Sequence, residues 1–295
     1  MNLIDDKLHV STITAVSNID TIINLRLLFD KIEINDYIQY IQYGNDNYKG
    51  FSHKLLRKKR KNKGETSFYN CCTIHVKENM DIYVKCPRDP LNPEKRLKSG
   101  DKFQKVIGGK KFEFTIPEVI ENDRFIVNID KIINIKIFNN GKIQITGLKW
   151  EKQGLDIIKK IINIMKDYEI FEDDKKIMMN DYRIVLINCD FELANHIDRY
   201  KLHNEIVKHN YYSSYEPCSY PGVNIKYFIN TNNTNGICCC DCMCDGKGIG
   251  NGNGDCKRVT IAVFKSGSII ITGGQNVEQI MESYHFITQF ISNMN

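Results

Sequence analysis

The sequence has no apolar run approaching the length of a membrane span, and its acidic start, Met1-Asn2-Leu3-Ile4-Asp5-Asp6, is not a secretory signal, so neither insertion nor export is expected. It also lacks a disulfide framework. Eleven cysteines, an odd number without regular spacing, point to a reducing compartment, nucleus or cytoplasm. Missing as well are a paired acid and base beside a nucleophile, an H-E-x-x-H pair and a P-loop, so no enzyme is expected. What is present is a globular composition, 42% hydrophobic and 26% charged over 295 residues, enough for two domains or one duplicated domain with insertions.

The excess of positive charge is concentrated in one place. Lys49, Lys54, Arg57, Lys58, Lys59, Arg60, Lys61 and Lys63 fall in a stretch without an acid, and removing these eight turns a net +5 into −3. Such a run suits phosphate contact or a nuclear localisation signal; a solvated loop without a partner is the alternative.

A strand-turn-strand pattern occurs twice, at Ile135–Gly147 (IKIFNNGKIQITG) and Ile261–Gly273 (IAVFKSGSIIITG), with seven identities that include Phe138/Phe264, Gly141/Gly267 and Thr146/Thr272. Each copy is followed by a helical period, Leu155, Ile158, Ile162 and Met165 after the first, Val277, Ile280, Met281, Tyr284, Ile287 and Ile291 after the second. The unit is duplicated, and a pseudo-twofold object suits a duplex. Upstream, Leu8 to Val16 reads as a strand, and Asp20 is expected to cap a helical run carrying Ile22, Ile23, Leu27 and Leu28.

The stretch Tyr211–Gly222, YYSSYEPCSYPG, set before the second hairpin, resembles the TATA-box-binding protein family, in which S-S-Y-E-P leads to an aromatic and Pro-Gly. Val10-Ser11-Thr12-Ile13 and Cys189-Asp190 are similar to the family's first strands, although Leu8 and Ile184 stand where the family has asparagine. The resemblance implies an α+β fold in which two quasi-repeats form one curved antiparallel sheet, a saddle, with helices on the convex face. On this reading residues 8–168 are the first repeat, with insertions at about 36–67 and 78–130. Residues 169–180 are a linker, and 181–293 are the second repeat, with a Cys/Asn/Gly-rich insertion at about 230–257. Pro87–Pro93 reads as loop and Lys111–Ile116 as a short extra strand.

The resemblance implies DNA-intercalating aromatics in two pairs, Phe68 with Phe138 and Tyr220 with Phe264; Tyr37 competes with Phe68 for its role. By alternation the minor-groove face would carry Val10, Lys136, Gln144 and Thr146 from the first repeat, and Leu186, Ala262, Ile270 and Thr272 from the second. Lys142, Lys149 and Lys226 match phosphate-contacting positions, with Arg57, Lys58, Lys59, Arg60 and Lys61 as a further basic set, while Ser268 and Gln275 replace basic residues of the family. Glu216 matches a contact for a transcription factor IIB-like protein, although Cys218 and Ser219 replace its family neighbours.

The function implied is a minor-groove DNA-binding and bending protein in transcription initiation. Its partners would be A·T-rich duplex DNA, a IIB-like factor and the RNA polymerase machinery, in the nucleus or a cytoplasmic viral factory. The alternative keeps the fold as a protein- or RNA-interaction platform. No cofactor is required, but Cys239, Cys242, Cys244 and Cys256 offer a zinc set, with a flexible loop tip as the other reading.

Overall fold

A computed structural model describes residues 3–5, 8–44, 47–51, 70–89, 91–107, 110–118, 120, 124–173 and 177–294. The chain divides into two compact units, one of Met1–Ala15, Lys149–Glu151 and Arg183–Asn295, the other of Val16–Leu148 and Lys152–Tyr182. The first is called here the second-repeat unit and the other the first-repeat unit.

In the second-repeat unit the strands are β12 (Met179–Glu192, its residues from Arg183), β13 (Tyr212–Ser214), β14 (Val223–Ile229), β15 (Lys257–Val263) and β16 (Ser268–Gly274), with the helices α3 (Arg199–Lys208) and α4 (Val277–Met294). The order is β13-β14-β15-β16-β12, all antiparallel, and β12 is flanked by Leu8–Ala15 of β2 (Leu8–Ile19), which itself pairs with β1 (Leu3–Asp5). One side chain in two is apolar and buried: Ile187, Cys189 and Phe191 on β12, Ile269 and Ile271 on β16, Val259 and Ile261 on β15, Val223, Ile225 and Tyr227 on β14. Ile280, Tyr284, Ile287 and Ile291 of α4 recur at helical spacing and close this core, Tyr284 edge-on to Phe191. α4 begins where Asn276 Oδ1 accepts from Gln279 N while Gln279 Oε1 accepts from Gln275 N, a reciprocal cap.

The first-repeat unit holds α1 (Leu25–Lys31), β3 (Ile38–Tyr43), β4 (Asn47–Gly50), β5 (Cys71–Lys85), β10 (Arg124–Phe138), β11 (Lys142–Leu148) and α2 (Glu151–Lys166), with strand order β11-β10-β5-β3-β4. Ile133, Ile135, Ile137, Ile143, Ile145, Cys72, Ile74 and Val76 form its core, together with the α2 stripe Ile157, Ile158, Ile161, Ile162 and Met165. The repeated hairpins match residue for residue: Ile135 faces Ile145 and Ile137 faces Ile143, as Ile261 faces Ile271 and Val263 faces Ile269. Both turn glycines have positive φ, +83° at Gly141 and +89° at Gly267, and a Cβ on either would collide with a carbonyl, of Ile19 or of Leu193. Only glycine meets both demands.

Two expectations change, the cap of α1 and the place of Tyr37, and a third gains detail. The expected insertion at 78–130 begins and ends as strand: β5 and β10 pair over 15 residues each, so Met80, Ile82 and Val84 continue one strand and Phe125 and Ile129 the other. Only between them come the small hairpins β6 (Arg88–Asp89) with β7 (Asn92–Arg96), which closes the expected Pro87–Pro93 loop into a tight turn, and β8 (Lys102–Ile107) with β9 (Lys110–Thr115). The cap of α1 is Asn24, whose side chain accepts from Leu27 N, because the helix starts at Leu25; Asp20 instead accepts from Asn180 and Asn18. Tyr37 lies on the helix side, its ring 5.3 Å from Lys160 Nζ of α2, and so is no wedge.

Candidate nucleic-acid interface

The sheet face turned away from the helices is set by alternation. In the second-repeat unit, Asn188 faces Thr272, Thr272 faces Thr260 and Thr260 faces Lys226, forming one cross-strand row. The next row is Asp190, Ile270, Ala262 and Asn224. Leu186 shares the parity of Asn188, so Leu186, Ile270 and Thr272 share one face; Ala262 has the same parity but is buried, 3% exposed, and presents almost no surface there. Lys226 Nζ donates to Thr260 Oγ1 at 2.9 Å, and burial, with the nearby Arg258 charge second, holds its pKa below the usual lysine value. Asn188 Oδ1 is buried and meets no donor among the described residues.

At the end of this face stand Tyr220 and Phe264, ring centroids 5.8 Å apart and tilted by 60°. Gly222 lies beneath both. A Cβ there would come within 2.8 Å of the Tyr220 ring and 3.2 Å of Phe264, so the two rings occupy the space a side chain would take. Tyr220 is exposed and Phe264 half-exposed, and the turn that carries Tyr220 is closed by its N–H on the Glu216 carbonyl at 2.8 Å, leaving Glu216 exposed.

The first-repeat unit repeats the geometry with different chemistry. Thr146 faces Asn134, which faces His75, which faces Tyr40; Gln144 faces Lys136, which faces Thr73, which faces Gln42; Phe138 faces Cys71. Asn134 and His75 are hydrogen-bonded at 2.9 Å, and Tyr40 packs on His75 and Tyr48 with centroids at 4.9 and 6.4 Å. This face is polar and aromatic. Asn134, His75, Tyr40 and Asn188 were missed, though the period of two, carried across to the partner strands, contains them all. Lys142 is exposed beside the β10–β11 turn. Phe68 and the basic set Arg57, Lys58, Lys59, Arg60 and Lys61 lie outside the described residues.

Two expected contacts are corrected. Val10 is 4% exposed, and the side chains on either side of it, His9 and Ser11, both reach Asp190 on the open face, which turns Val10 into the core. The cause is a slip in β2: the buried positions change from Leu8 and Val10 to Ile13, Ala15, Ser17 and Ile19. Lys149 is 8% exposed and donates to the carbonyls of Val10 and Ser11, both at 2.8 Å. It pins the slipped strand from within and is not placed to meet a phosphate.

The zinc candidates also change. Cys238, Cys240, Cys244 and Cys256 converge, their sulfurs all within 4.8 Å of one another, whereas Cys239 and Cys242 are exposed and outside the cluster.

Residues 181–294 match the family model described as transcription factor TFIID, or TATA-binding protein. The chain is 27% identical over 312 aligned positions to a TATA-box-binding protein-like protein of Acanthamoeba polyphaga mimivirus, covering 98% of this chain and 66% of that one. The second repeat thus carries the match to TATA-binding proteins, and the chain along its length is similar to a viral TATA-box-binding protein-like protein. Among solved structures, the TATA-binding protein of Methanococcus jannaschii aligns with a TM-score of 0.47 and 13% identity, over 97% of this chain and 99% of the other. The family match coincides with the repeat whose open face keeps an apolar and threonine surface and the Tyr220–Phe264 pair. The chain spans just under two thirds of the viral relative's length.

Proposed function

We propose that this TATA-binding-protein-like chain binds duplex DNA through the minor groove, bends it, and serves transcription initiation. The observation that carries the reading is the Tyr220–Phe264 pair above Gly222, at the end of a face of Ile270, Thr260 and Thr272. Two adjacent rings held half in solvent at the end of a smooth face can enter a base step, unstack it and turn the duplex toward the major groove; the handled geometry is the one general for minor-groove wedges, of which this family is the known example. Phe138 would act likewise in the first repeat. The face itself suits A·T pairs, whose minor groove offers sugar edges, adenine N3 and thymine O2 but no exocyclic amine. Lys136 and Asn134 supply donors to those acceptors, and a cation is favoured where an A·T groove is narrow. Phosphates would be met by Lys142, Lys226 and Arg258, and by the basic run at Arg57–Lys61, which could also direct nuclear entry. Glu216, exposed on its turn, would meet a IIB-like factor, with the polymerase machinery following, in the nucleus or a viral factory.

The deciding experiment is a gel-shift comparison of A·T-rich and G·C-rich duplexes at two salt concentrations, with a distamycin-type minor-groove ligand as competitor. Tighter binding to A·T duplexes, displaced by the ligand, is expected. Binding that ignores both base composition and competitor would overturn the minor-groove reading and favour a protein or RNA platform.

A further inference from the structure

The stretch from Thr231 to Cys256 has almost nothing to bury. Its large apolar side chains other than cysteine are Ile237, Met243 and Ile249, and Met243 is fully exposed and Ile249 57% exposed. Even so it follows a defined path. Thr231 N donates to Gly250 O, Gly248 N to Cys256 O and Arg258 N to Gly246 O, and side-chain oxygens of Asn230, Asn233, Asn235 and Asp255 close short turns onto backbone N–H groups. Such turns shape a loop locally but do not repay the ordering of some 25 residues at roughly 1–2 kcal/mol each.

At the centre of that path are four sulfurs. Cys240 and Cys256 Sγ are 3.4 Å apart, and Cys256 and Cys238 Sγ 3.7 Å. An S₄ tetrahedron around zinc, with Zn–S of about 2.3 Å, has edges of about 3.8 Å. The outer shell is in place too: Gly254 N donates to Cys240 Sγ at 3.1 Å and Asn230 Nδ2 to Cys256 Sγ at 3.2 Å, the kind of N–H donors that steady a thiolate. The consecutive cysteines alternate, so that Cys238 and Cys240 face inward while Cys239 takes a hydrogen bond from Asn233 Nδ2 on the outside.

We propose that Cys238, Cys240, Cys244 and Cys256, spaced C-x-C-x3-C-x11-C, form a structural zinc site that folds the insertion and staples the outer end of the β14–β15 hairpin. All four positions are closed by protein sulfur, so the metal would hold structure and carry no reaction. Cys256 directly precedes β15 and Asn230 directly follows β14, so the ion would tie the loop to both strands it joins.

The test is zinc content by mass spectrometry of the full chain purified without added metal, for wild type and for single serine variants. About one zinc per chain is expected in wild type, C239S and C242S, with loss in C240S and C256S. Cobalt substitution of wild type should give the intense visible bands of a tetrahedral tetrathiolate. Should C240S or C256S fail to fold, limited proteolysis of wild type with and without chelator gives a second reading: zinc removal should open cleavage between Thr231 and Cys256. Retention of zinc in C240S with loss in C242S, iron in place of zinc, disulfides among these cysteines, or no metal in wild type would each overturn the site.

Discussion

Replacing Lys149 by methionine separates two readings of one residue. As a phosphate contact, it would be exposed; its loss would change stability by no more than about 0.5 kcal/mol and flatten the salt dependence of DNA binding by about 0.9 in the log–log slope. In the structure, Nζ is buried and donates to two carbonyls, of Val10 and Ser11, each at 2.8 Å. Methionine fills much the same volume but leaves both acceptors without that donor. Hydrogen bonds from a charged group contribute about 1.5–3 kcal/mol each, and a buried acceptor left unpaired costs about 1–3 kcal/mol. These descriptions overlap and are not summed, so a loss of about 3 kcal/mol is expected, a fall in Tm of roughly 6–12 °C at 2–4 °C per kcal/mol. The assay is thermal unfolding beside a salt titration of binding, with Lys142→Met as the exposed comparison: there Tm should hold and the slope should flatten. An unchanged Tm in Lys149→Met together with a flattened slope would refute the buried anchor.

Other consequences can be measured on the same material. Phe264→Ala and Tyr220→Ala should each reduce the bend reported by energy transfer across a labelled duplex while costing much less stability than Phe191→Ala, a buried control expected to lose roughly 3–5 kcal/mol; a large stability loss with an unchanged bend would return the pair to the core. Lys226, whose pKa is lowered by burial and then by Arg258, should lose its proton at lower pH than an exposed lysine, so DNA affinity should fall as pH rises through that value, and Lys226→Arg should abolish the fall. The sign for stability is opposite: below the lowered pKa the charge costs the fold something, and that cost is relieved as pH rises. Burial pushes the Cys72 and Cys189 thiols up to about 12, so a thiol reagent should label neither in the native protein, while Cys218, Cys239 and Cys242 react at once.

What could be read in the sequence was local and periodic. The two hairpins, α2, α4 and the turn from Ser213 to Gly222 have short-range signals: an apolar period of two, an apolar stripe at helical spacing, and glycine where φ must be positive. The long β5–β10 ribbon was equally periodic, with Met80, Ile82 and Val84 alternating against Asn79, Asp81 and Tyr83, but its polar outer row hid it inside an apparent insertion. The errors at Val10 and Lys149 share one cause. A one-residue slip reverses every side chain beyond it, and nothing in Leu8–Val16 marks where it falls; the two carbonyls it leaves over are met by a lysine 138 and 139 positions away in sequence. The cysteine set was misread because a C-x-x-C spacing was preferred to the alternation that turns Cys238 and Cys240 inward together.

Duplication makes each repeat a control for the other. The pairs that hold the fold are kept: Ile135 with Ile261, Ile143 with Ile269, Ile145 with Ile271, and the glycines against the Ile19 and Leu193 carbonyls. On the open face, positions matched by register have diverged, Lys136 against Ala262, Gln144 against Ile270, Asn134 against Thr260 and His75 against Lys226, while Thr146 and Thr272 are the same. Packing does not require this difference, since the helix-facing residues beneath are alike. At the proposed wedge positions Phe138 and Phe264 are again identical. On the proposed reading, the parts that deform a duplex are kept in both repeats and the parts that touch base edges have separated. A duplex on the face of the first-repeat unit would meet donors from Lys136, Asn134 and Gln144, and on that of the second-repeat unit the apolar Ile270, which reads width and flexibility more than hydrogen-bonding pattern. Discrimination by base contact would therefore concentrate under the first repeat, and discrimination by deformability under the second.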